Sequence, residues 1–351
     1  MELERYNEYF LPYIELYNKK VVKHLENQII DMGLASKKSD TTDTISIEKI
    51  KANHKNSIVG CVKEIGIKAI KLIEKWEFEK NYEYSVLYKA NNLNRDELLE
   101  KLQNKYDSNS KYPENIYSIL KDPIVYEVDD LIMLKFSLYK EATHPQTEEK
   151  LKMKYPIIVI FYTDDNTIEI RYDSIGGLFV DDYKSFYKKN IRGIQAWIST
   201  YLEIGLENYL LDKIVNDLKN IDDIELEGQD MRFSDGGKAC LEVGSNASYT
   251  LPLLGELKKI INENEEEFNN SIGIKQLLET WIKSKEDEAV YTWICLCWKN
   301  KDNIKARDVK VRFQFDYIDE DVSLLYHYSG PIGMERMNNV TRCIIKNTDL
   351  A

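Results

Sequence analysis

Residues 157–162, Ile-Ile-Val-Ile-Phe-Tyr, and residues 167–172, Thr-Ile-Glu-Ile-Arg-Tyr, are separated only by Thr163-Asp-Asp-Asn166. Runs of β-branched and aromatic residues of this length form strands, and a short linker of turn-forming residues joins them as an antiparallel hairpin. A parallel pair would need a crossover of roughly a dozen residues or more. The hairpin therefore excludes a purely parallel, doubly wound sheet and makes the chain α+β. In its second arm Ile168, Ile170 and Tyr172 alternate with Glu169, Arg171 and Asp173, a pattern that predicts a sheet with one face in water.

Upstream, Leu3, Tyr6, Phe10, Tyr13 and Tyr17 recur at steps of three and four residues and continue through Val21, Leu25 and Ile29. This is a helix with an aromatic face, expected to kink at Pro12. A polar segment at 36–43 leads to Ser46, which can cap a second helix carrying Ile58, Cys61, Ile65, Ala69, Leu72 and Trp76. Strands are expected at 84–89, 124–128 and 131–139, and Asn94 opens a helix as an Asn-x-x-Glu cap flanked by a Leu93–Leu98 staple. Residues 182–220 read as helical, with a break at Gly205, and the acidic segment 221–229 reads as a turn-rich boundary. Beyond it come a hairpin around Asp235-Gly236-Gly237, helices at 253–261 and 274–284, strands at 290–298, 309–315 and 322–328, and a closing helix at 332–347.

A chain of 351 residues exceeds the roughly 250–300 at which single cores stop growing. The expected organisation is an N-terminal helical hairpin (1–80) followed by two mixed lobes with largely antiparallel sheets, 81–220 with C-terminal helices and 221–351. The aromatic seam of the hairpin can pack on the rest of the chain or serve as a surface for a protein partner or a second copy.

The net charge of −12 works against indiscriminate binding to nucleic acid or anionic membrane. The N-terminus lacks a basic segment followed by an apolar one, and no apolar run approaches the roughly 18 residues of a membrane span. The expectation is a cytoplasmic protein without a membrane partner. Abundant Lys, Ile and Asn, with 24 Tyr against 10 Phe, is the composition expected of AT-rich bacterial coding sequence. Five scattered cysteines do not form a disulfide framework or a structural zinc set, and Cys295 and Cys297 read as buried strand residues.

Phosphate loops need closely spaced glycines, and Gly176-Gly177 and Gly236-Gly237 supply only pairs. Of the four histidines His327, on a strand, is the one placed for chemistry, although a hydrogen-bonded sheet histidine explains it as well. Two positive signals stand out. Asp302, Asp308 and Lys310 form an acid followed by acid-x-Lys at a strand start, the arrangement with which a Mg²⁺-dependent nuclease holds metal and orients water. Lys184, Lys188 and Arg192 step by four residues and are joined by Lys189, giving a helix edge suited to phosphate or nucleic acid, with Tyr183 and Phe186 beside it. Lys305, Arg307, Lys310 and Arg312 form a second basic group. No cofactor is implied, other than Mg²⁺ for a nuclease. The reading that absorbs the missing signatures is a non-catalytic binding or sensor subunit of a bacterial intracellular assembly. Antiviral defence is one such setting, carried by no particular residue.

Overall fold

The computed structural model describes residues 2–17, 19–36, 45–46, 54–105, 123–219, 221–232, 237–242, 254–287, 290–299, 308–317, 322–328 and 333–348. The chain is α+β and divides into two compact units: unit 1 comprises Met1–Tyr82 and Leu87–Glu207, and unit 2 comprises Glu83–Val86 and Asn208–Ala351. Among the described residues no helix is long and apolar enough to cross a membrane.

Unit 1 opens with α1 (Glu2–Leu16) and α2 (Lys19–Asp31), a short parallel pair β1 (Ala35–Ser36) and β2 (Ile45–Ser46), then α3 (His54–Ile65) and α4 (Ile67–Glu79). Helix α1 contains Pro12, with Tyr9, Phe10, Tyr13 and Ile14 buried on both sides of it. The interruption in the second helical stretch falls at Gly66, whose φ of 66° favours glycine. Strand β3 (Tyr84–Ala90), helix α5 (Arg95–Lys105), strands β4 (Ile124–Val128), β5 (Leu131–Thr143), β6 (Lys150–Tyr162) and β7 (Thr167–Tyr172), helix α6 (Tyr183–Trp197) and strand β8 (Leu206–Asn208) follow. Strands β4 to β7 are sequential antiparallel neighbours, and the strand order in this unit is β3-β7-β6-β5-β4.

The expected hairpin joins β6 to β7 through a 3₁₀ turn that ends at Asn166 in the left-handed region, φ 47°. Asn166 also anchors the exit from β3: its carbonyl accepts the Ala90 N–H (2.7 Å) and its side-chain oxygen accepts the Leu93 N–H (2.8 Å). The Asn94 side chain accepts the Glu97 N–H at 3.1 Å, with Leu93 and Leu98 buried, so the cap and staple form as the sequence implies. The break expected at Gly205 comes earlier. Helix α6 passes into a π turn over Ile198–Leu202 and stops at Glu203, which sits in the left-handed region.

The expected wet face of this sheet is corrected: β7 is buried at every position, Glu169 and Arg171 included. Even-numbered residues of β5 and β7 and odd-numbered residues of β6 form a face that is apolar apart from Lys140 near the end of β5, and it meets α6 through Phe136–Trp197, Tyr155–Phe186 and Tyr172–Tyr187 ring contacts. The opposite face carries Lys135, Tyr139, Lys154, Tyr162, Glu169 and Arg171, and it is covered rather than hydrated. Helix α1 lays Tyr6, Tyr9 and Phe10 against it, and α4 supplies Glu74 and Glu77. The aromatic seam of α1 is thus buried against the chain's own sheet, and a partner docking on these helices would have to use other residues.

In unit 2, α7 (Leu211–Leu218), β9 (Ile224–Arg232), β10 (Lys238–Glu242), α8 (Leu254–Glu263), α9 (Glu265–Asn269), α10 (Ile272–Asp287), β11 (Val290–Trp298), β12 (Val309–Gln314), β13 (Leu324–His327) and α11 (Met334–Thr348) follow in order. Its strands run β10-β9-β11-β12-β13, antiparallel throughout, and Tyr84 and Ser85 of β3 pair with Tyr326 and Leu325. Of the acidic segment 221–229, residues 221–223 form a turn as expected and the rest is corrected to the start of β9, because Glu225 and Glu227 alternate with Ile224 and Leu226 at strand period. The turn around Asp235-Gly236 lies outside the described residues, whereas β9 and β10 form the arms expected on either side of it.

Candidate binding surface

The basic edge expected on α6 forms. Lys184, Lys189 and Arg192 are exposed and Lys188 is half-buried. The helix start is closed to an anion, because Asp182 caps it by accepting the Lys184 and Ser185 N–H groups at 3.3 and 3.0 Å. Those hydrogen bonds lower the Asp182 carboxyl below its ordinary range. Phe186 is engaged within the unit, against Tyr155 and under the Lys140 ammonium, 5.1 Å from the ring centre.

Of the nuclease triad, Asp302 lies outside the described residues. Asp308 precedes β12 and Lys310 stands in it, and each meets the opposite charge. Lys299 bridges Glu225 (2.7 Å) and Asp308 (3.4 Å), and Lys310 pairs with Glu227 at 2.8 Å. These hydrogen bonds raise both lysines above the ordinary ammonium value. Among the described residues no three His, Cys, Asp or Glu side chains group as metal ligands. Cys297 is buried, and burial pushes its thiol up to about 12, far from a reactive thiolate. His327 is buried with its Nε2 3.1 Å from the Ser85 hydroxyl, across the pairing of β13 with β3.

The sheet also assembles a surface that sequence reasoning missed. Tyr84 is opposite Tyr326, Tyr326 opposite Arg312, and Arg312 opposite Cys295, so one rung crosses β3, β13, β12 and β11 on a single face. Tyr84 stacks on Tyr326 with centroids 5.3 Å apart, and Tyr326 contacts Tyr328 at 4.6 Å. The Arg312 guanidinium lies 4.2 Å from the centre of the Trp293 ring and 5.3 Å from that of Tyr328. All five side chains are half-exposed. Planar guanidinium on indole is among the stronger cation–π arrangements, and it fixes a side chain that would otherwise be mobile. Among the described residues no carboxylate forms an ion pair with Arg312, and its Nε is buried without a hydrogen-bond partner. Burial and then Glu83 raise the Tyr326 hydroxyl, with Arg312 opposing. The surface thus consists of π faces and one cation, with Glu83 close by. Alternation of Tyr326 with Tyr328 and of Lys310 with Arg312 was visible in the sequence; the strand order that brings them beside Trp293 and Tyr84 was not.

In comparisons with known proteins, no family model matches this chain and no curated protein matches it.

Proposed function

We propose that the chain is a non-catalytic binding protein, a subunit of a bacterial intracellular assembly, and that a protein partner docks on the arginine–aromatic face of unit 2. The observation that carries this reading is Arg312 lying against Trp293 beside Tyr326, Tyr328 and Tyr84, half-exposed on one sheet face. Trp, Tyr and Arg dominate the energetics of protein interfaces, because each desolvates a large area with little loss of side-chain freedom. A carboxylate on the partner would complete the coordination of Arg312. The acids near this part of unit 2, Glu83, Glu225, Glu227 and Asp308, and the net charge of −12, favour a protein over a polyanion.

The test is affinity capture from the native host with wild type and with Trp293→Ala/Arg312→Ala, followed by titration of any partner retained by wild type alone. Truncation of one hot-spot side chain weakens such a complex by about 2 kcal/mol, roughly thirtyfold. A partner held equally by the double variant would reject this face.

The exposed lysines of α6 support a second reading, binding of nucleic acid or phosphate through Lys184, Lys188, Lys189 and Arg192. Four phosphate contacts to duplex DNA imply a logarithmic salt slope of about −3 to −4, abolished when the four charges are removed. Incubation of the protein with nucleic acid and Mg²⁺ addresses a nuclease centred on Asp302, Asp308 and Lys310: cleavage lost in Asp308→Ala would displace the binding reading.

A further inference from the structure

On the arginine–aromatic face of unit 2 one cation differs from its neighbours. Lys310 pairs with Glu227 at 2.8 Å, Lys299 with Glu225 at 2.7 Å and Asp308 at 3.4 Å, and Lys238 with Asp230 at 3.3 Å. Asp230, opposite Trp293 in the sheet, also accepts the Thr292 hydroxyl. Among the described residues, therefore, these lysines are matched by carboxylates, whereas Arg312 meets none and its buried Nε has no hydrogen-bond partner. A guanidinium packed against the Trp293 and Tyr328 rings keeps its N–H donors, all of which lie in its plane, for a ligand. That fork matches one carboxylate.

The adjoining π surface sets what accompanies the carboxylate. Arg312, Tyr326 and Tyr84 follow one another across β12, β13 and β3, at about 4.8 Å per strand. The stacked Tyr84–Tyr326 pair is thus centred about 7 Å from the strand of Arg312. In an extended segment, residues i and i+2 point the same way and lie about 6.6 Å apart. Glu83, half-buried beside Tyr84, adds to burial in raising the Tyr326 hydroxyl, so a second negative group is unwelcome at the tyrosine end. Strands β12 and β13 each have a strand on both sides, which leaves recognition to side chains rather than to addition of a strand.

Resting on the reading of this face as a protein-docking surface, we infer that it recognises an extended segment of the partner in which one acidic and one aromatic residue stand two positions apart. The carboxylate meets Arg312 and the ring lies on Tyr84 and Tyr326. The match is to a single negative charge. A nucleic acid strand carries a phosphate at every nucleotide, and past Arg312 those phosphates would come beside Glu83, Glu225, Glu227 and Asp308.

Fluorescence anisotropy of the full chain with short labelled peptides tests this, using the centre Phe-Ser-Asp-Ser-Phe, which offers both chain directions. Replacing the peptide's Asp by Asn should weaken binding about tenfold or more, and replacing both Phe by Ser about three- to tenfold. The preference for Asp should vanish in Arg312→Gln and shrink in Arg312→Lys, which keeps the charge and loses the fork. Tyr84→Ala should remove the preference for Phe and retain that for Asp. The peptide comparisons use the wild-type chain, so they decide the matter even where a variant misfolds. Equal binding of the Asp and Asn peptides up to millimolar concentration overturns the proposal, as does a preference that survives Arg312→Gln. Displacement of the Asp peptide by a single-stranded oligonucleotide, with a steep salt dependence, overturns it in favour of nucleic acid. Affinity capture separates the two levels: a partner lost from Trp293→Ala/Arg312→Ala but recognised without an acidic and an aromatic residue removes this inference alone. A partner held equally by that variant removes the docking reading beneath it.

Discussion

Toward α6, strand β6 presents Tyr155, Ile157, Val159 and Phe161; toward α1 and α4 it presents Lys154, Ile158, Ile160 and Tyr162, joined there by Lys135, Glu169 and Arg171 from its neighbours. Both sides are buried. On the first, each methylene contributes through area removed from water, without direction. On the second, Glu74 and Glu77 alternate with Lys135 and Lys154 so that each ammonium touches both carboxylates. Lys135 reaches Glu77 at 2.8 Å, Lys154 reaches it at 2.7 Å, and both contact Glu74. Tyr6 donates a further hydrogen bond to Glu74, and a separate triad joins Arg171, Glu169 and Tyr162 at 2.6 to 3.1 Å. Two equal and opposite pairs leave no net charge in the square. Its Coulomb gain offsets a desolvation cost of several kcal/mol per ion, so the intact network adds little net stability.

The largest expected effect follows from breaking that balance. Lys154→Met removes one ammonium and leaves two carboxylates beside a single lysine, so it should cost about 3–5 kcal/mol in urea denaturation, as should Lys135→Met. Replacing all four together, Glu74→Leu, Glu77→Leu, Lys135→Met and Lys154→Met, should be neutral or stabilise by about 1–4 kcal/mol, because no charge then remains to be desolvated. If the single and fourfold variants lose stability alike, the two faces do not differ in the way described.

Acid separates the faces next. Burial by itself would raise the Glu74 carboxyl, but the adjacent Lys135 and Lys154 outweigh it and hold the group down at about 2, against an ordinary 4.5. A depressed folded value means that the contribution is fully present above 4.5 and is lost as pH falls toward 2. Over that window the stability of wild type should fall up to about 1.4 kcal/mol per pH unit more steeply than that of Glu74→Gln. Equal slopes would mean that Glu74 is not charged in the folded chain. At the other end, burial opposes the charge on Lys135 while Glu74 and Glu77 raise it, so its contribution is present below 10.5 and is lost only above that raised value, in strong alkali.

The same contrast explains what could be read from the sequence. The β6–β7 hairpin, the Asn94 cap and the basic edge of α6 rest on neighbours within a few residues, and all three formed. Glu169 and Arg171 carried the alternation of a hydrated strand, and nothing local distinguishes that from a strand whose polar side is covered by helices. What distinguishes them here is a pair of carboxylates on α4, separated from Lys135 and Lys154 by 58 to 80 residues. The arginine–aromatic face in unit 2 failed to appear for the same reason. Arg312, Tyr326 and Trp293 each occupied an expected strand, but their meeting depends on β13 lying between β3 and β12.

The smallest expected effect is the sharpest test of whether charge, rather than burial, separates the faces. Ile170 lies on the apolar face and Ile158 on the charged one, directly opposite both Lys135 and Arg171, and neither is exposed. Conversion to valine deletes one methyl at each site and should cost about 0.5–1.5 kcal/mol, through lost transfer energy and a small void. Neither change removes an ion, so acid titration of Ile158→Val should overlay wild type once shifted for its lower stability. If Ile158→Val instead costs clearly more and alters the acid profile, the methyl insulates the Lys135 and Arg171 pairs from water, and the charged face would depend on its hydrophobes as shielding as well as on the geometry of its ion pairs.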